Sequence, residues 1–329
     1  MAEASKQDLI MGVDLGGTKI LAGVFTPQLK LLQSAKLSTK ADRGFAAVVE
    51  RIARCVSDAV DEADATLKQV KAIGIGAPGA VDPESGEVIF APNLKWEKAP
   101  LKAELEKRLG IPVFVENDCN VCTLGVHEVE LKGKPKHMLG LFLGTGIGGG
   151  LIVNGQLYGG FNRTAGEIGH MVLEVNGPKC GCGNQGCFEA LASRTSIFRD
   201  IAKKIKDGGK SVLPDMLQQG QQIADLKSGD LRKAIRRGDK VVERVIEDAA
   251  EYTGIAIANL VNILSPEVVV LGGGVMDALE DEMLSIVVET ARDYAMPGTM
   301  KNVEIVGSKL GDHAGITGAA VLARQNGKF

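Results

Sequence analysis

Two segments of the chain share one hydrophobic pattern: an apolar run, a Gly/Thr-rich turn and a second apolar run. The first runs from Leu9 to Phe25 and reads L-I-M-G-V-D-L-G-G-T-K-I-L-A-G-V-F. The second runs from Met138 to Tyr158 and reads M-L-G-L-F-L-G-T-G-I-G-G-G-L-I-V-N-G-Q-L-Y. Two apolar runs joined by a Gly-containing turn are typical of a β-hairpin. One such hairpin in each half of the chain predicts an internally duplicated protein.

Helical and extended patterns occupy the rest of the chain. Apolar residues recur at helical spacing from Phe45 to Ala63 and again from Val241 to Val261, in a helix that ends before Ser265-Pro266. Short apolar runs predict strands at Val70 to Gly76, Pro112 to Glu116, Val268 to Leu271 and Val303 to Val306. Strands that alternate with helices indicate an α/β fold.

The chain has 329 residues, enough for two domains with separate cores. No low-complexity linker separates them, so the boundary is placed near Asp118, between a predicted strand and the next helix. We expect a smaller lobe at residues 1–118 and a larger lobe at residues 119–313, with a final helix at about 314–329 joining the first.

Composition narrows the function classes. The formal net charge is −3 and only 4% of residues are aromatic, so neither a basic surface nor a stacking platform for nucleic acid is expected. The start of the chain lacks the apolar core of a signal peptide. Residues 137–162 carry no Asp, Glu, Lys or Arg, but Gly-rich turns interrupt them, which argues against a membrane span of about 20 apolar residues. We therefore expect a cytoplasmic protein.

One His and three Cys lie in a short Gly-punctuated segment: His170, Cys180, Cys182 and Cys187. Three thiolates and an imidazole complete a tetrahedral zinc shell and leave no position for a reactive water, which favours a structural zinc. Disulfides or simple burial are the alternatives. The other cysteines lie on helix-like stretches and are expected to be buried: Cys55, Cys119 and Cys122.

The two hairpin turns are candidate phosphate sites, because Gly-rich turns offer backbone N–H groups without obstruction. Asp14 precedes the first turn, Gly16-Gly17-Thr18-Lys19, and is placed to hold Mg²⁺ through water, although an ordinary turn Asp is the alternative. The second turn is Gly144-Thr145-Gly146. The chain has no Walker A loop. The second turn is also a poor dinucleotide-binding fingerprint, because that motif is followed by a helix and here apolar, Gly-rich sequence follows.

Two further strand ends carry candidate chemistry. The run ending at Leu271 passes into Gly272-Gly273-Gly274, which is either an adenosine site or a plain strand-to-helix turn. Glu116-Asn117-Asp118 also follows a strand. Asp118 is either a helix N-cap or a general base for a substrate hydroxyl, and the spacing alone favours the cap.

Seven motifs make the chain resemble the ROK family (repressor, open reading frame, kinase). They are D-L-G-G-T-K (Asp14 to Lys19), G-A-P-G-A-V-D (Gly76 to Asp82), P-N-L-K-W (Pro92 to Trp96), E-N-D (Glu116 to Asp118), L-G-T-G-I-G-G-G (Leu143 to Gly150), G-E-I-G-H (Gly166 to His170) and C-G-C-G-N-Q-G-C-F-E (Cys180 to Glu189). The resemblance implies the two-lobe, duplicated actin-like (ribonuclease H-like) fold of the sugar kinase/Hsp70 superfamily, with a sugar bound in the cleft. The family's repressors carry an N-terminal helix-turn-helix; here the predicted strand at Asp14 starts almost at once, so we do not expect a repressor.

The resemblance also implies roles for individual residues. Asp118 is then the catalytic base, which reverses the preference for a cap. Sugar contacts are implied for Asn93, Asn117, Asp118, Glu167, His170 and Glu189. His170 has one ring nitrogen on zinc and the other on the sugar. Asp14 with Mg²⁺ and the two Gly-rich turns hold the phosphates of ATP.

The activity implied is ATP-dependent phosphorylation of D-glucose to glucose 6-phosphate. N-acetylmannosamine, another N-acetylhexosamine or fructose remain alternative substrates, and polyphosphate an alternative donor. A sugar sensor without catalysis is the alternative of another class, although Asp14 and Asp118 are both present. Family members are dimers or tetramers, which implies a homo-oligomer.

Overall fold

Three sheets form the strand framework of the computed structural model, which describes residues 8–327. The first eight strands are β1 (Leu9–Leu15), β2 (Lys19–Phe25), β3 (Leu31–Ser38), β4 (Val70–Ala77), β5 (Ala80–Asp82), β6 (Glu87–Ala91), β7 (Trp96–Ala99) and β8 (Val113–Asn117). The remaining strands are β9 (Met138–Leu143), β10 (Ile147–Val153), β11 (Gln156–Leu157), β12 (Val268–Gly272) and β13 (Glu304–Gly307).

The two larger sheets repeat one arrangement. Their orders are β3-β2-β1-β4-β8 and β11-β10-β9-β12-β13, and β5-β6-β7 form a small third sheet. In the first sheet, β1 pairs antiparallel with β2 and parallel with β4, which is parallel to β8. In the second, β12 is parallel to both β9 and β13. Each large sheet therefore contains one predicted hairpin followed by parallel strands, which confirms the internal duplication.

Over residues 8–327 the α-helices are α1 (Phe45–Glu62), α2 (Leu101–Leu109), α3 (Asp118–Gly125), α4 (Phe188–Ala192), α5 (Arg194–Lys206), α6 (Ser228–Arg236), α7 (Lys240–Leu264), α8 (Met276–Tyr294) and α9 (Ala314–Gly327). The predicted helices correspond to α1 and α7. Helix α7 ends where Ser265 adopts a left-handed conformation (φ 46°) before Pro266, since the residue preceding a proline is disfavoured in a helix. None of these helices is long and apolar enough to cross a membrane.

The chain divides into two compact units. Unit 1 contains the chain up to Lys136, Gly150–Gly166 and the chain from Asp312; unit 2 contains His137–Gly149 and Glu167–Gly311. The boundary expected near Asp118 falls inside unit 1, at the start of α3. Helix α3 packs against α9, and α9 also packs against β1 and β4. This packing keeps the segment after Asp118 in unit 1.

Each unit has its own apolar core. In unit 1, Val48, Ile52 and Val56 on one face of α1 are buried with residues of β1 and β4. In unit 2, α7 buries residues such as Val242 and Ile246. Burial of such side chains stabilises a fold by roughly 1.5–3 kcal/mol each relative to full exposure.

The prediction for the cysteines outside the zinc segment is partly wrong. Cys55 is buried on α1, as expected. Cys119 and Cys122 lie on α3 but are only half-buried. The backbones of Val121 and Gly125 on α3 approach Gly318 on α9 closely.

Candidate functional site

The predicted zinc ligands come together in unit 2. The ligand atoms of His170, Cys180, Cys182 and Cys187 all lie within 4.8 Å of one another. The Sγ atoms of Cys182 and Cys187 are 3.7 Å apart, and Cys180 Sγ is 3.7 Å from His170 Nδ1. Zn–S bonds of about 2.3 Å in a tetrahedron place sulfurs roughly 3.7 Å apart. The donor set and its spacing therefore fit a structural zinc ion.

The two alternatives for these cysteines do not match the geometry. All six cysteines are free thiols, and a disulfide needs sulfurs about 2.05 Å apart. Simple burial does not describe Cys182, which is exposed. Burial raises the pKa of the Cys180 thiol, whereas the backbone N–H of Asn184 lowers the pKa of Cys182. A bound metal cation favours the thiolate form at every such ligand.

His170 presents its two ring nitrogens to different partners. It ends a short 3₁₀ turn, Ile168–His170. Nδ1 faces the cysteine sulfurs, and Nε2 lies 3.9 Å from Glu167 Oε2. The side chains of His170 and Glu167 are 35% and 56% exposed, so both are accessible to a ligand. A metal on Nδ1 would fix the ring orientation and the tautomer at Nε2.

Glu189, on the first turn of α4, connects the zinc segment to the second Gly-rich turn. Its Oε2 accepts a hydrogen bond from the Ile147 N–H (2.9 Å), and its Oε1 lies 3.7 Å from Cys180 Sγ. Glycine at position 146 leaves room for this carboxylate, because a β-carbon there would come 2.2 Å from Glu189 Oε2. The N–H of Gly144 is used inside the turn, where it donates to the Gly146 carbonyl (2.8 Å).

The first Gly-rich turn joins β1 to β2 in unit 1. The Gly16 N–H donates to the Lys19 carbonyl (2.9 Å), so Gly16 closes the turn. Buried Thr39 fixes it from the side: its hydroxyl donates to the Gly16 carbonyl (2.6 Å), and its N–H donates to the Thr18 carbonyl (2.8 Å). Lys19 Nζ forms an ion pair with Asp312 (2.9 Å).

Asp14 lies at the end of β1 against the first turn of α9. A β-carbon on Gly315 would come 2.8 Å from the carboxyl carbon of Asp14, so only glycine allows this approach. Burial raises the pKa of Asp14 to about 6, and the positive charge of Lys19 only partly offsets this. A divalent cation at this carboxylate would favour its ionised form.

The polar cluster after β8 departs from one sequence expectation. The N-cap of α3 is Asn117, not Asp118: Asn117 Oδ1 accepts from the N–H groups of Cys119 (2.9 Å) and Asn120 (3.1 Å). Its Nδ2 donates to the Gly79 carbonyl (3.1 Å). Asp118 is the first helical residue, and its Oδ1 accepts from the Cys119 N–H (2.9 Å). The half-buried Asp118 carboxylate is therefore held at the head of the helix.

Glu116 stabilises this strand-to-helix turn through two hydrogen bonds. Its Oε1 accepts from the Asn117 N–H (2.8 Å) and from Asn120 Nδ2 (3.0 Å). Both Glu116 and Asn120 are buried. Burial raises the pKa of Glu116, although its hydrogen bond from Asn120 acts in the opposite direction.

The remaining predicted site residues lie on turns. Asn93 is on a 3₁₀ turn, Pro92–Leu94, beside Gly17, where a β-carbon would come 3.3 Å from Asn93 Cβ. Gly272 ends β12, and the Gly273-Gly274 turn leads into α8. The predicted strand, Gly turn and helix are thus present there.

Sequence reasoning missed several residues that hold these turns. Thr39, Asp312 and Glu116 act in unit 1, and Thr195 donates its hydroxyl to the Thr145 carbonyl (2.7 Å) in unit 2. Thr39, Asp312 and Thr195 are distant in sequence from the turns they contact, so spacing carries no signal for them. Glu116 had a signal, since it precedes Asn117-Asp118 directly.

Known proteins resemble this chain over nearly its whole length. A glucokinase of Thermotoga maritima is 36% identical over 317 residues, which cover 96% of this chain and 97% of that relative. An N-acetyl-D-glucosamine kinase of Vibrio cholerae is 34% identical and covers 94% of this chain and 98% of its own.

A crystal structure gives the same result for the fold. The ROK family glucokinase of Streptomyces griseus, in complex with glucose and AMPPNP, matches with a TM-score of 0.84. It is 33% identical, and the match covers 96% of this chain and 99% of that chain. The profile of the ROK family matches residues 10–326. The chain therefore belongs to the ROK family.

Proposed function

We propose that this protein is an ATP-dependent sugar kinase that converts D-glucose to glucose 6-phosphate. The observation that carries the proposal is the likeness to the glucokinase of Streptomyces griseus with glucose and AMPPNP. The glucokinase of Thermotoga maritima supports it independently. Asp14 and Asp118, the two carboxylates that the chemistry needs, both lie in unit 1, Asp14 near the end of β1 and Asp118 at the start of α3.

Asp118 is the general base in this proposal. Its carboxylate takes the proton of the 6-hydroxyl, whose oxygen then attacks the γ-phosphorus of ATP. The new O–P bond forms as the bond from phosphorus to the β,γ-bridging oxygen breaks, and ADP leaves. Such transfer depends on positioning and charge neutralisation more than on covalent chemistry. The bond from the Cys119 N–H holds Asp118 at the head of α3 for this role.

Hydrogen-bonding side chains select the sugar. Asn93, Asn117, Glu167, His170 and Glu189 are the proposed hydroxyl contacts. Asn117 Oδ1 and one of its N–H donors already serve the α3 cap and Gly79, so its remaining N–H is the donor proposed for the sugar. A sugar lacking a matching hydroxyl leaves one of these polar groups without its partner in the complex, which is costly.

The nucleotide is assigned to the Gly-rich turns. Asp14 would hold Mg²⁺, which would supply the positive charge that neutralises the phosphates. The turns proposed to receive phosphates are Gly16-Gly17-Thr18-Lys19 and Gly144-Thr145-Gly146, and Gly272-Gly273-Gly274 is the turn proposed for the adenosine. Within these turns, Gly16 and Gly144 use their own N–H groups to close the loop. The N–H groups that follow them are therefore the proposed phosphate donors.

His170, Cys180, Cys182 and Cys187, whose ligand atoms lie within 4.8 Å of one another, would hold a structural Zn²⁺. The ion would tie the segment and orient His170, with no part in the phosphoryl transfer. For assembly and location we propose a cytoplasmic homodimer or homotetramer that acts in glycolysis, without nucleic-acid or membrane partners. Light scattering of the purified protein tests the assembly.

Phosphorylation of an N-acetylhexosamine is the second candidate, favoured by the similarity to the kinase of Vibrio cholerae. A coupled assay of ADP formation decides between them, with glucose, mannose, fructose, N-acetylglucosamine and N-acetylmannosamine compared by kcat/KM at saturating Mg-ATP. The proposal predicts the highest kcat/KM for glucose. A higher value for an N-acetylated sugar would select the second candidate. Absence of turnover on every sugar with both ATP and polyphosphate would contradict a kinase.

A further inference from the structure

Three contacts from one segment hold the Gly144–Ile147 turn in unit 2. The Arg194 N–H donates to the Gly144 carbonyl (2.9 Å), and the Thr195 hydroxyl donates to the Thr145 carbonyl (2.7 Å). Glu189 Oε2 accepts from the Ile147 N–H (2.9 Å). All three partners lie on α4 or the start of α5, directly after the last cysteine of the zinc segment.

Glu189 differs from the other two partners in what it does to the turn. Arg194 and Thr195 donate to carbonyl groups, whereas the Glu189 carboxylate accepts from an N–H. It therefore takes the Ile147 donor and leaves those of Thr145 and Gly146 for a phosphate. The absence of a side chain at Gly146 allows the carboxylate to approach this closely. A carboxylate that accepts from a backbone N–H makes a stronger bond than a neutral acceptor.

We propose that Glu189 is a positioning residue for the nucleotide, in addition to its proposed sugar contact. Its carboxylate fixes the Gly144–Ile147 turn in the conformation that receives phosphate. The same residue also lies beside Cys180, so it joins the zinc segment, the sugar contacts and the phosphate turn. This inference rests on the proposed function, because it assigns nucleotide phosphate to this turn.

Two substitutions separate the sugar role from the nucleotide role. Glu189→Gln retains a carbonyl oxygen that can accept from the Ile147 N–H, but it removes the charge. Glu189→Ala removes the acceptor and leaves the N–H without a partner. We therefore expect Glu189→Ala to weaken nucleotide binding about tenfold or more, whereas Glu189→Gln keeps it within about threefold. Both variants weaken glucose binding.

The test is calorimetric titration of each protein with Mg-AMPPNP in the absence of sugar, so that the sugar contact has no influence. Glu174→Ala is the matched control. Glu174 lies between the proposed zinc ligands His170 and Cys180, and its carboxylate accepts from the Tyr252 hydroxyl (3.1 Å). Zinc content, measured by atomic emission, must equal that of the wild type in every variant.

Hydrogen exchange at the Ile147 amide gives a second readout that does not depend on nucleotide. It should be faster in Glu189→Ala and near wild type in Glu189→Gln. If Glu189→Ala does not fold, Thr195→Val against Thr195→Ser tests the same turn, and only the valine variant should lose nucleotide affinity.

Unchanged nucleotide affinity in Glu189→Ala would overturn the inference, as would an equal loss in Glu174→Ala. A wild-type protein that binds no AMPPNP would overturn it together with the proposed function. A wild-type protein that phosphorylates glucose while Glu189→Ala binds AMPPNP normally would overturn this inference alone.

Discussion

Asp14→Asn is expected to stabilise the metal-free protein while it abolishes kinase activity. Burial raises the pKa of Asp14 from 3.8 to about 6. Between these values the folded protein keeps a proton that the unfolded chain has released. Stability therefore falls as the pH rises from about 4 to about 6, and it stays at the lower level above that. At about 1.4 kcal/mol per pH unit the difference amounts to about 3 kcal/mol.

Asparagine has the same size and no charge, so it avoids this cost. We expect Asp14→Asn to raise the free energy of unfolding by up to about 3 kcal/mol at pH 7, and by about half as much at pH 5. Turnover is expected to be lost in the same variant, because the substitution removes the proposed Mg²⁺ ligand. A gain in stability with a loss of activity is the usual compromise at functional carboxylates.

Urea unfolding in Mg²⁺-free buffer between pH 5 and pH 8 measures this effect. Trp96 is the only tryptophan of the chain, and it is buried in unit 1, the unit that also contains Asp14. Its fluorescence therefore reports the unfolding of unit 1. The exposed Asp42 supplies the control variant Asp42→Asn, which should follow the wild type. A stability difference that does not change with pH, or an Asp14→Asn protein less stable than the wild type at pH 7, would refute the reasoning.

Two further substitutions test neighbouring parts of the site. Glu116→Leu removes the acceptor of buried Asn120 and should lower the free energy of unfolding by about 1–3 kcal/mol in urea titrations. Glu116→Gln retains an acceptor oxygen and should lower it less. Equal losses in the two variants would contradict the hydrogen-bond explanation. Cys182→Ala should lose zinc by atomic emission and raise the KM for glucose more than it lowers kcat, because His170 loses its fixed orientation. A zinc-free variant with an unchanged KM would disprove that coupling.

The sequence carried the features that depend on local pattern. Both hairpins follow from apolar runs around Gly-rich turns, and α1 and α7 follow from helical spacing. The cluster of His170 with three cysteines was also predictable, because the donor types and the Gly residues between them restrict the segment to a tight turn.

What depends on tertiary contact was not predictable. Thr39 and Asp312 contact the first Gly-rich turn from positions far along the chain, and nothing near them in sequence marks this role. The prediction of the N-cap of α3 was wrong for a different reason. Asn and Asp are both good caps, so the pattern could not decide between neighbouring residues. In the structure the cap is Asn117, whose side chain also donates a hydrogen bond to the Gly79 carbonyl, a tertiary contact.

The most direct test of the account compares wild type and Asp118→Asn in one experiment, with glucose 6-phosphate formation and glucose affinity measured on the same preparations. Asparagine retains the shape of the side chain and the contacts at the head of α3, but it cannot accept a proton from the sugar. The account predicts a kcat lower by about 10²–10⁴-fold, with glucose affinity changed only a few-fold. A variant that turns over near the wild-type rate would contradict the assignment of Asp118 as the base.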